Sequence, residues 1–151
     1  MFESGRCPKL HVVNLMMIHR WLAAGMGFTF VNVKLSKRIG GESKPLRLLV
    51  DTGAFYTMIP RGVLARIGIK PFEKRSLQLA DGRVIERDVG IVFMRYGRRS
   101  TATPVVFGER GDASVLGVLA LEGLTLEVDP RTQRLKEMKV IPMYVEAAAS
   151  T

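Results

Sequence analysis

Residues 48–56 read LLVDTGAFY: an aliphatic run, then Asp51-Thr52-Gly53-Ala54, then two aromatics. A strand that is about to be buried should not end on a carboxylate, because an unpaired charge resists desolvation. Burial makes sense where the chemistry needs it. Gly53 permits a tight turn and a close backbone approach that other residues do not. Such a turn presents Asp51 at the rim of a sheet, backed by Leu48, Leu49 and Val50. The plainer alternative is an Asx turn that ends a strand, which is common in any β protein.

Outward from this stretch the signals are mostly β. FTFVNVKL (28–35) alternates and is rich in β-branched and aromatic residues. A turn at Gly40-Gly41 leads to PLRLLV, and FYTMI follows the DTGA turn as a short strand. Pro60 and then RGVLARIGI predict a short helix, with Gly68 at its end. SLQLA, Asp81-Gly82 and RVIERDVGIVFMRY predict a hairpin, and Asp-Gly suits a two-residue type I′ turn. A turn at Tyr96-Gly97 leads to STATPVVFG. SVLGVLALEGL, LTLEVD and RLKEMKVIPMYV complete the chain. The expected fold is one all-β domain over residues 26–145 with one or two short helices, and EAAAST (146–151) is expected to fray.

The chain has 151 residues, the size of one ordinary domain. With 47% hydrophobic and 25% charged residues it is a globular protein and not a disordered tail. Its one cysteine, Cys7, excludes an intrachain disulfide and fits a reducing compartment, so a cytoplasmic location is expected. Cys7 and His11 are two possible ligands where a structural zinc site needs four, so no metal is expected. The net charge of +9 is concentrated in residues 1–100, yet the cations are scattered among strands without interleaved aromatics. A solvated basic face is the reading, with no specific nucleic-acid partner.

Residues 1–25 differ from the rest. The stretch LHVVNLMMIHRWLAAGMGF is broken by His11, Asn14, His19 and Arg20, so its apolar runs fall short of the ~20 residues of a membrane span. Three readings stand side by side. Arg6 and Lys9 before the apolar patch and Ala23-Ala24-Gly25 imitate a signal peptide. Leu10, Val13, Met17 and Trp21 share one helical face. A start at Met26 would make the segment an extension.

The DTGA stretch resembles the active-site loop of retropepsin-like aspartic proteases, the single-domain, homodimeric relatives of pepsin. Val115-Leu116-Gly117, 64 to 66 residues downstream, is similar to that family's apolar-apolar-Gly motif before a short helix. The hairpin tipped by Asp81-Gly82 lies between the two, where the family places its flap. The order DTGA, short helix, LADGRVIERDVG and VLGVLALEGLTLEVDP looks closest to the prokaryotic members. Val118 stands where many viral enzymes have Arg, and the hairpin tip is not glycine-rich.

The resemblance implies a small closed barrel-like domain that forms a homodimer and cleaves peptide or protein substrates without a cofactor. The chemistry takes two carboxylates sharing one proton, which together activate a water and polarise the peptide carbonyl. This chain has one DTG, so the second aspartate is expected to be Asp51 of a twofold-related copy. The catalytic positions implied are Asp51, Thr52, which bonds across the dyad, and Gly53. Leu77, Leu79, Val84 and Ile85 are candidate walls for an extended substrate strand. The motif adds Ala54, Asp81, Gly82, Leu116 and Gly117 to the substrate-binding set. Both histidines lie in residues 1–25, which excludes a Ser-His-Asp or Cys-His site within the domain. HExxH, P-loop and dinucleotide fingerprints are absent from the sequence. The alternative function is a non-catalytic dimerisation or peptide-binding module with the same fold.

Overall fold

The computed structural model describes residues 28–143. The proposals for residues 1–25 and 146–151 lie outside that range. Nine strands and two helices follow in order: β1 Phe30–Ser36, β2 Ser43–Val50, β3 Thr57–Pro60, α1 Arg61–Ile67, β4 Glu73–Gln78, β5 Val84–Tyr96, β6 Arg99–Gly108, β7 Val115–Leu116, α2 Val118–Gly123, β8 Leu126–Val128 and β9 Leu135–Glu137. The chain is therefore mostly β with two short helices among the described residues.

One sheet runs β1-β2-β7-β3-β6-β5-β4, and β1 pairs with β5 as well. That extra pairing, Lys34 to Ser36 against Arg95 to Phe93, bends six of the strands into a near-closed ring. β4 stays outside it, paired with β5 alone. The alternation read in FTFVNVKL survives as a strict period: Val31, Val33 and Leu35 are buried while Phe30, Asn32 and Lys34 are exposed. These residues join Leu48, Ile59, Leu64, Val92, Phe107, Leu116 and Leu124 in the main core inside the ring. A smaller core of Leu49, Ala54, Met58, Val89, Val106, Ala113 and Val115 lies beneath the DTGA loop, with Tyr56 and Leu77 packed on it.

α1 starts and stops where its sequence says. Pro60 takes the N-cap position, and Gly68 closes the helix at φ 85, donating its N–H to Ala65. The hairpin forms, but its turn is not type I′. Gly82 N–H donates to the Leu79 carbonyl at 3.0 Å, and only Gly82 (φ 86) has positive φ there. A type I′ turn would force Asp81 into the left-handed region as well. The three-residue loop needs one such position and fills it with glycine. Within the C-terminal stretch, β9 covers three residues and pairs with β8.

Candidate active site

β2 and β3 are consecutive in the chain but not neighbours in the sheet, because β7 lies between them. β7 runs parallel to β2, with Val50 beside Leu116, and antiparallel to β3, with Met58 beside Val115. The loop that carries Asp51 must therefore pass around the end of β7. Asp51 N–H donates to the Leu116 carbonyl at 3.0 Å, continuing the β2 ladder through the aspartate itself.

Beyond Asp51 the loop is gripped through its backbone. Ala54 N–H returns to the Asp51 carbonyl at 3.2 Å, and Gly53 N–H donates to Asp51 Oδ1 at 2.9 Å. The second bond is an Asx turn, so the plainer reading of the motif is also true of its geometry. α2 lacks a capping side chain. Its first free N–H groups go to the loop instead: Val118 to the Ala54 carbonyl at 2.8 Å and Leu119 to Phe55 at 3.2 Å. Thr57, fully buried, accepts from Gly117 N–H through Oγ1 at 3.0 Å. Thr57 carries no chemical signature in the sequence; its role depends on a strand that arrives 60 residues later.

Gly117 has a steric reason to be glycine. A Cβ there would sit 2.4 Å from the Tyr56 carbonyl carbon and oxygen and 2.9 Å from the Phe55 oxygen. No side chain fits at those distances, since the neighbours are backbone atoms.

Asp51 is 2% exposed, whereas Thr52 and Gly53 face solvent. A depression of about 240 Å³ borders Gly53, Ala54, Phe55, Tyr56 and Met58 on one side and Ser76, Leu77 and Gln78 of β4 on the other. Gly53, Ala54 and Leu77 thus border one depression. Leu79, Asp81 and Gly82 belong to the hairpin tip and do not border that depression.

The expected walls Val84 and Ile85 do not act as a pair. Val84 and Ile85 are adjacent on one strand, so they point to opposite faces. Ile85 opposes Leu77 and shares its face, while Val84 opposes Gln78 and is 64% exposed. Leu116 is fully buried in the main core and Gly117 lies against the loop backbone, so both support the loop from behind instead of lining a groove.

The other aspartates are engaged elsewhere. Asp81 accepts from the Arg83 backbone and side chain, which hold its carboxyl below the usual range. Lys74, then Arg61, do the same for Asp88 at 2.9 and 2.7 Å. Asp129 is lowered chiefly by the Arg131 backbone N–H at 2.8 Å. Asp112 accepts from Arg87 through both oxygens, at 2.9 and 3.3 Å. Asp81, Asp88 and Asp129, stabilised as anions in this way, are poor partners for sharing a proton. Among the described residues, no group of three or more His, Cys, Asp or Glu could hold a metal ion. Nor is any helix among them long and apolar enough to cross a membrane.

The aspartyl protease family model matches residues 31–122, from β1 through most of α2. The chain belongs to the retropepsin-like aspartic protease family. No curated protein and no solved structure matches it.

Proposed function

We propose that the protein is an aspartic endopeptidase whose active site is assembled from two copies of Asp51, one from each subunit of a homodimer. The observation that carries this reading is Asp51 itself, a nearly buried carboxylate held in a fixed turn at the end of β2. The chain has one Asp-Thr-Gly, and the other described aspartates are engaged in turns or by arginine and lysine, which supports a second copy as the source of the second carboxylate. Two carboxyl groups crowded together share one proton. The ionised member takes a proton from water as it attacks, and the protonated member polarises the peptide carbonyl. Thr52 bonds across the dyad, Gly53 lets the substrate backbone approach, and Leu77 with Ile85 borders an extended peptide. Closure of the strand ring into a barrel and action in the cytoplasm belong to the same proposal.

Asp51→Asn tests it. The substitution removes the charge and the shared proton at nearly constant volume, so peptide hydrolysis should vanish while fold and dimer persist. Full activity in the variant would end the reading. A wild-type protein that binds peptides across a library and a pH series without cleaving them would instead be a peptide-binding module.

A further inference from the structure

The hairpin places like charges where a hairpin should avoid them. Arg75 on β4 stands directly opposite Arg87 on β5. Like charges in opposed antiparallel positions repel, and a local rule broken in this way points to work for both side chains. The two-residue period puts them on the same face as Leu77, Ile85 and Val89, the face turned to the small core under the DTGA loop.

From that face the two guanidinium groups diverge. Arg75 donates to the Tyr56 hydroxyl and lies over the Tyr56 ring at 5.6 Å and the Phe72 ring at 5.9 Å, with Glu73 beside it. Arg87 binds Asp112, whose Oδ2 also accepts the Glu109 N–H at 2.7 Å. One arginine therefore ties the hairpin to the loop that carries Asp51. The other ties it to the loop that leads into β7, the strand whose backbone holds that loop. On the opposite face Asp88 joins Lys74 and Arg61, and Arg61 reaches Glu109 at 2.8 Å. Further out, the ion pair within residues 76–86 is Arg83 with Asp81, internal to the tip.

We propose that Arg75 and Arg87 are positioning residues that fix the base of the hairpin over the Asp51 groove. They contribute to substrate capture and take no part in the chemical step. The kinetic side of this inference rests on the protease reading; the mechanical side does not.

The test uses the full chain with Arg75→Met, Tyr56→Phe, their double variant, and Arg87→Met beside Arg87→Lys. Hydrogen exchange of the β4 and β5 amides is measured alongside peptide kinetics. In Arg75→Met and Tyr56→Phe, β4 exchange should accelerate while the amide of Asp51 keeps its protection. KM should rise about tenfold, the worth of one hydrogen bond to a charged group, with kcat within about twofold. The double variant should be no worse than Arg75→Met alone, because both single changes remove the same bond. Arg87→Lys should restore part of what Arg87→Met loses. Unchanged exchange with unchanged KM would overturn the inference, as would additive losses or a fall in kcat alone. Tyr56→Phe removes a single oxygen and keeps the test alive should an arginine variant fail to fold. If the wild type cleaves nothing, the protease reading fails, while the exchange data still decide whether the tether exists.

Discussion

Asp51 and Asp81 sit in turns of nearly the same local design. Gly53 N–H donates to Asp51 Oδ1 at 2.9 Å, and Arg83 N–H donates to Asp81 Oδ1 at 3.0 Å. Each is an aspartate that folds its own backbone two residues on, with a glycine in the turn. Their surroundings separate them. Asp51 is 2% exposed and its loop is bonded to β7 and α2, whereas the Asp81 side chain is 52% exposed and its turn is bonded only within itself. The same short-range chemistry thus gives a buried, bonded loop in one place and a solvated tip in the other. What distinguishes them is the tertiary grip.

Glycine substitutions probe that contrast most strongly. Gly117→Ala drives a Cβ into the Tyr56 backbone, so the loop or α2 must move. The expected cost is about 3 kcal/mol or more, at the upper end for overpacking, and a denaturant midpoint measurement checks it. Gly82→Ala meets nothing within 4 Å but must hold φ 86. It should cost about 1 kcal/mol, the price of a left-handed residue, and leave the loop around Asp51 intact. Equal losses in the two variants would erase the distinction between gripped loop and free tip.

A smaller effect concerns the hairpin base. Asp88 is held below the usual carboxylate range by Lys74 and Arg61. Its contribution to stability is present above the unfolded value near ~3.9 and is lost as pH falls through the lower folded value. The stability gap between wild type and Asp88→Asn should therefore be steady near neutrality and close below about pH 4. Thermal melts across an acid series would show it, and a gap that persists at the lowest pH would contradict the assignment.

Much of the fold was legible because its signals are local. Pro60 and Gly68 bracket α1, the alternation of 28–35 marks β1, and Asp81-Gly82 marks a hairpin tip. The turn type was not, since Asp-Gly serves both the two-residue loop and the observed one. The insertion of β7 between β2 and β3 leaves no trace near either strand, so the burial of Leu116 and the role of Thr57 were hidden with it. Arg75 and Arg87 read as two more cations on a basic chain until register placed them opposite one another. In the candidate site, the motif marks the loop of Asp51, Gly53 and Ala54 that β7 and α2 grip, while strand period separated Val84 from Ile85.

The central claim is that half a site resides in each chain. Wild-type protein mixed with increasing excess of Asp51→Asn chains tests it most directly, with subunit exchange followed by sedimentation of labelled chains. The account predicts that activity per wild-type chain falls toward zero as mixed dimers form, because each then holds one carboxylate capable of sharing a proton. Activity that stays constant per wild-type chain while exchange is complete would mean that one chain carries the whole site, contradicting the shared dyad.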